Sequence, residues 1–117
     1  MIMYIGRFRS RLSDEQVQAM FEERAPRYLE VSGLIEKIYL RFRETGEWGA
    51  AYVFDSEESL ERFRESDLAA SIPSAYEMDG AAQAELADVA LLVEPGATAA
   101  PVRRSAVDRR ADGVRTA

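Results

Sequence analysis

The sequence predicts an α+β domain in which a four-stranded antiparallel sheet carries helices on one face. Three observations predict it. Two β-rich runs, Gly33–Arg41 and Trp48–Phe54, flank Glu44-Thr45-Gly46, and a glycine at the third loop position suits a type I turn closed by a left-handed residue. A helix-like segment precedes the first run and another follows the second. Further strand-like runs open and close the region, so the order reads strand, helix, strand, strand, helix, strand.

The first strand covers residues 1–9, with Ile2, Tyr4 and Phe8 on one face and Met3, Ile5, Arg7 and Arg9 on the other. Ser13 opens a helix, with Gln16 three residues on as a capping box and Asp14 and Glu15 favoured by the dipole of the first turn. Val17, Met20, Phe21 and Arg24 recur at helical spacing, and Tyr28 and Leu29 continue the stripe. Pro26 is expected to kink or interrupt this helix near Arg24–Ala25, and Gly33 suits the exit.

The second strand is expected over about Leu34–Arg43 and the third over about Glu47–Asp55. A three-residue loop pairs Arg43 with Glu47. By that register Leu34, Ile38, Leu40 and Phe42 share a face with Trp48, Ala50, Tyr52 and Phe54. Ile35, Lys37, Tyr39 and Arg41 fall on the other face beside Gly49, Ala51 and Val53, and a slip of one residue would regroup both sets.

Ser56 caps a second helix from Glu57 to about Ser66, with Leu60 and Phe63 turned inward. Asp67 to Pro73 reads as a short helical turn ended by proline, and the fourth strand is placed at about 85–94. Residues 95–117 are rich in Ala, Arg, Asp and Pro without an apolar period and read as a disordered tail. The order and the alternation describe a ferredoxin-like domain over 1–94. Helices on one side would leave Met3, Ile5, Ile35, Tyr39 and Val53 bare on the other. An apolar face of that kind marks an interface, so a closed two-fold homodimer is expected.

Composition narrows the chemistry. In a chain of 117 residues a core is feasible, since 47% are apolar, but so small a domain buries only roughly 60–65% of its unfolded surface and gains from a partner. No run of about 18 apolar residues could cross a membrane, and the start lacks the basic-then-apolar pattern of a signal peptide. With no cysteine, these features fit a cytoplasmic protein. Net charge is −6; five arginines after residue 94 outweigh Asp108 and Asp112 by three, so the remainder carries −9. An acidic body disfavours nucleic acid, and the scattered arginines read as a solvated tail. Histidine is absent too, which removes Ser-His-Asp chemistry, a histidine base and histidine metal ligands.

Gly33-Leu34, Lys37-Ile38-Tyr39 and Gly49-Ala50-Ala51-Tyr52-Val53-Phe54-Asp55, followed by Ser56-Glu57-Glu58-Ser59-Leu60, make the chain resemble the YdhR-like monooxygenases of the dimeric α+β barrel superfamily. The shared pattern is Gly, an apolar residue, two variable positions, Lys, and an aromatic two further on, then a Gly-rich start and an aromatic-apolar-Phe end to the next strand. It covers about residues 1–94. The resemblance implies a ferredoxin-like monomer, a homodimer, and a pocket between helices and sheet in each subunit. It also implies kinship with small cofactor-free oxygenases that oxidise aromatic polyketides. The chain departs from those enzymes in lacking histidine and a matching set of their catalytic polar residues.

Candidate site residues follow. Trp48 and Tyr52, with Tyr4 and Phe8, either line a pocket for a flat aromatic ligand or form core under the helices. Lys37, Tyr39 and Arg41 recur at period two; they either make a cationic spot that steadies an enolate or phenolate, or ion pairs at a dimer interface. The carboxylates Glu22, Glu23, Glu30, Asp55, Glu57 and Glu58 fall mainly on solvent faces and at a helix start. Gly46, Gly49 and Gly80 form no phosphate loop. The expected activity is a cofactor-independent monooxygenase on a small aromatic or enolisable compound, needing no metal, flavin or haem. The alternatives are a non-catalytic small-molecule-binding or stress-response module on the same scaffold and a purely structural subunit. The homodimer would bind neither nucleic acid nor membrane.

Overall fold

A computed structural model describes residues 1–96 and the backbone of 102–104. Its elements run β1 (Ile2–Phe8), α1 (Asp14–Tyr28), β2 (Leu34–Arg41), β3 (Trp48–Phe54), α2 (Glu57–Arg64), α3 (Asp67–Ala70), α4 (Ile72–Ala75), β4 (Gln83–Asp88), β5 (Leu91–Val93) and β6 (Val102–Arg104). The first four strands by position form one antiparallel sheet in the order β2-β3-β1-β4. This is the ferredoxin-like α+β architecture that the element order predicts.

The helix starts are set by local chemistry. Ser13 Oγ accepts the backbone N–H of Gln16 at 3.2 Å, and the Gln16 side chain accepts the N–H of Ser13 at 2.9 Å, which completes the capping box. Ser56 Oγ accepts the Ser59 N–H at 3.1 Å and starts α2 in the same manner. Pro26 lies inside α1 and does not break it, contrary to the expected interruption. It stands in the last turn, so the one carbonyl that it cannot serve is that of exposed Glu22, and its fixed φ suits a helix. Pro73 likewise opens α4 instead of ending a turn, a position where the missing N–H would be unpaired anyway.

The hairpin register differs from the expected one. Lys37 pairs with Tyr52, Tyr39 with Ala50 and Arg41 with Trp48. Two insertions of one residue cause this. Phe42 and Glu47 pair through a 2.8 Å hydrogen bond, so the loop between them spans residues 43–46 and exceeds three residues; Gly46 takes the left-handed position there with φ +73°. At the other end a bulge between Leu34 and Glu36 absorbs the shift. Leu34 still shares a face with Phe54, as expected, and pairs with it directly, but Ile38 and Leu40 turn outward beside Ala51 and Gly49. Lys37, Tyr39 and Arg41 turn toward the helices.

The core lies between that inner sheet face and the helices. Ile2, Tyr52 and Phe54 from the sheet meet Tyr28, Leu60 and Phe63, while Phe8 meets Val17, Phe21 and Tyr76. Leu29, expected on the buried stripe, is 87% exposed, because α1 ends at Tyr28 and the chain turns away. Gly33 joins α1 to β2 with φ +81°, and a Cβ there would collide with Ser59 Oγ.

The single strand expected at 85–94 is two. β4 ends at Asp88, and β5 pairs instead with β6 in a separate two-stranded sheet, Leu91 opposite Arg104 and Val93 opposite Val102. β4 is an exposed edge strand, so its own residues carry no apolar run, and the apolar run after it belongs to the hairpin. β6 falls within the stretch expected to be a disordered tail; the rest of that stretch beyond residue 96 lies outside the described residues.

Candidate functional site

A cleft of about 260 Å³ opens between the inner sheet face and the helices. β1 contributes Tyr4 and Phe8, α1 contributes Phe21 and Tyr28, β2 contributes Lys37 and Tyr39, and β3 contributes Tyr52. Phe63 and Arg64 of α2 and Ile72 and Tyr76 at the last short helix close the other side. The rings contact one another throughout: Tyr4 and Tyr52 at 5.6 Å between centroids, Phe21 and Tyr39 at 4.3 Å, Tyr28 and Phe63 at 5.8 Å. Among the residues lining the cleft there is no Asp or Glu.

Lys37 stands at the centre of this wall. Its Nζ lies 3.2 Å from the ring centroid of Tyr28, 4.3 Å from that of Tyr39 and 4.6 Å from that of Tyr52. The other cations of the lining have carboxylate neighbours, Arg7 with Glu47 at 3.7 Å and Arg64 with Glu61 at 3.3 Å. Lys37 has none among the described residues. Burial therefore lowers the amine, and the positive charge of Arg24 lowers it further, to about 6. The ring faces attract an ammonium and work against that drop. The net result is an amine that can be neutral near pH 7.

The tyrosines move the opposite way. Burial raises Tyr39 and Tyr52 above the usual phenol range, with neighbouring tyrosine hydroxyls adding to the effect. Burial also pushes Tyr76 up to about 12 against the opposing charge of Arg24. All stay protonated near neutrality. Tyr39 Oη is buried without a hydrogen-bond partner, so it holds a donor ready at the cleft wall.

Arg24 lies behind the cleft, 4% exposed, where its guanidinium donates to Leu68 O at 3.2 Å and to Ser71 Oγ at 3.0 Å. Its Nε finds no acceptor. No carboxylate pairs with it among the described residues, and its charge adds to the lowering of the Lys37 amine.

No protein-family model matches the sequence, and no curated protein matches it. Solved structures do match its fold. One is SnoaB, a cofactor-independent oxygenase from Streptomyces nogalater, with TM-score 0.62 and 13% identity over 75% of this chain and 91% of that one. A second is NE2512, a protein of unknown function from Nitrosomonas europaea, with TM-score 0.65 and 15% identity over 82% and 95% of the two chains. A third is an antibiotic biosynthesis monooxygenase, with TM-score 0.60 and 8% identity over 76% and 98%. At such identities the likeness is one of fold.

The expected site residues divide into two groups. Tyr4, Phe8, Lys37, Tyr39 and Tyr52 come together in the cleft. Trp48 and Arg41 do not; they line a neighbouring depression with Gln18 and Glu22, where the guanidinium stacks at 4.2 Å on the indole and pairs with Asp14 at 3.1 Å. Tyr28, Phe63 and Arg24 were not singled out as site residues. Arg24 did carry a signal, a charge on an otherwise apolar helical stripe. Tyr76 carried none, since it sits alone in an irregular segment.

Proposed function

We propose that the chain is a cofactor-independent monooxygenase for a small aromatic or enolisable compound, of the YdhR-like kind, acting as a cytoplasmic homodimer. The observation that carries this reading is the Lys37 amine set among three aromatic rings at a cleft wall without a carboxylate. The fold likeness to SnoaB supports it. A flat substrate stacks against Tyr4, Phe8 and Tyr52. Its acidic C–H or O–H gives the proton to neutral Nζ. The resulting ammonium stays in the ring cage and holds the carbanion or phenolate. That anion passes one electron to dioxygen, and the radical pair combines at carbon to a peroxide. Loss of water leaves a carbonyl where a CH₂ stood, with one oxygen atom in the product and the other in water. Tyr39 Oη donates to the developing oxyanion. The dimer uses the outer sheet face, where Met3, Ile5, Ile38 and Leu40 lie.

Oxygen uptake with a panel of anthrones and hydroquinones, chelator present, tests the reading. Turnover should persist with chelator and fall by about 100-fold or more in Lys37→Met, the usual range for losing a general base. Turnover abolished by chelator would reject the cofactor-free route. The second reading, a binding or stress-response module, is favoured by the eight aromatic side chains of the lining. Tight aromatic binding without oxygen uptake would establish it.

A further inference from the structure

Lys37 is the single lysine of the chain, against fourteen arginines. An arginine cannot lose its proton in a protein, so Lys37 is the only side-chain amine that can present a lone pair. It is also the one cation of the cleft lining without a carboxylate among the described residues. A lysine kept for packing or solubility would be found on the surface, with its ammonium in water. This half-buried one ends against aromatic rings, and a fully buried cation, Arg24, adds its charge from α1. Desolvation and a neighbouring positive charge are the two devices that turn a lysine into a nucleophile.

We propose that Lys37 Nζ captures aromatic aldehydes and ketones in the cleft as a Schiff base, an activity that needs neither dioxygen nor the oxygenase reading. The Nζ lone pair adds to the carbonyl carbon, and the carbonyl oxygen takes a proton to give a carbinolamine. Nitrogen then expels that oxygen as water, and a C=N bond replaces the C=O bond with no change in oxidation state. Tyr39 Oη, buried and without a hydrogen-bond partner on a ring 4.3 Å from Nζ, is the donor assigned to the departing oxygen. The volume of about 260 Å³ suits a carbonyl compound of one or two rings, and the lining offers stacking faces on several sides. The amine lowered to about 6 by burial and by Arg24 would be largely neutral at pH 7.

The test is reductive trapping under argon. The full chain is incubated at pH 7 with 4-hydroxybenzaldehyde and cyanoborohydride, then read by intact mass and peptide mapping. The expected result is an adduct on Lys37, beside any labelling of the N-terminal amine, formed roughly tenfold faster than on Nα-acetyl-lysine, whose amine is almost wholly protonated at that pH. Glyceraldehyde, polar and without a ring, should label Lys37 more slowly. Lys37→Arg and Lys37→Met, checked for fold by circular dichroism, should leave only the N-terminal amine reactive. Labelling of the N-terminal amine with Lys37 untouched would overturn the proposal, as would Lys37 labelled no faster than free lysine. Because oxygen is excluded, failure here leaves the oxygen-uptake result standing, and the reverse holds as well.

Discussion

Lys37 Nζ rests 3.2 Å from the centre of the Tyr28 ring, so the amine of a strand is seated on the inner face of the long helix. This contact ties the chemistry of the cleft to the packing of α1 on the sheet. It also makes the protonation of Lys37 a matter of stability.

The sign of that effect is fixed by the lowered amine. Between about 6 and the ordinary lysine value of 10.5 the unfolded chain holds a proton that the native chain does not, so this group adds stability as pH rises. Its penalty is full below about 6. The groups facing it are Arg24 and Tyr28 of α1, Tyr39 of β2 and Tyr52 of β3, and burial keeps the Tyr39 and Tyr52 phenols protonated across this range. Lys37→Met should therefore raise the urea midpoint at pH 6–7, with the gain shrinking steadily toward pH 9. A gain independent of pH would show that the native amine is charged.

At the helix start, Ser13→Ala removes one half of the capping box. A loss of about 1 kcal/mol is expected from thermal or urea unfolding. The oxygen-uptake rate should be unchanged, because Ser13 does not line the cleft.

Phe54 is fully buried where β3 meets Phe63 and Tyr52. Phe54→Ala should cost roughly 3–5 kcal/mol, through lost transfer free energy and the cavity left behind. Denaturant titration would read it directly. Phe54→Leu should cost much less.

Gly33→Ala combines a left-handed backbone with a collision against Ser59 Oγ. The expected loss exceeds about 1 kcal/mol. Ser59→Ala in the same chain should recover only the Oγ part of the clash, since Ser59 Cβ at 2.5 Å and Asp55 Oδ1 at 2.8 Å still crowd the added methyl. A double-mutant cycle measures that share.

The dimer predicts its own test. Ile38, 47% exposed on the outer sheet face, is a better probe than Val53, which is 4% exposed within the single chain and would harm the fold if charged. Ile38→Glu should halve the mass seen by light scattering at micromolar concentration and leave the circular dichroism spectrum intact. A wild-type mass near 13.1 kDa would itself refute self-association.

The element order was legible because each signal was local. Ser13 with Gln16, Ser56, Gly33 and Gly46 mark their turns and caps by short-range chemistry. The register was not legible. Leu34, Ile38 and Leu40 are more apolar than Lys37, Tyr39 and Arg41, so a strict period of two turns the wrong set inward. The bulge and the longer loop each add a residue, and neither leaves a mark in hydrophobicity. For the same reason Lys37 and Tyr39 could be named as candidates but placed on the wrong face. Trp48 and Arg41 satisfy each other in their own depression, a pairing that depends on the position of α1 and Asp14. The bounds of the edge strand β4 escaped because an exposed strand held only by β1 needs no apolar pattern of its own.

The loop at 43–46 has a reach beyond its own turn. Removing a single residue there, with the bulge also ironed out, would leave every strand and helix where it is and rotate Lys37 and Tyr39 into solvent. Ile38 and Leu40 would become the new lining, and a reactive cleft would turn into a greasy one. On this scaffold, then, the identity of the chamber is written in the length of a connector that never touches it. Two homologues could share every inward-facing letter on paper and still present opposite interiors, so loop length at this hairpin is the character by which to sort them.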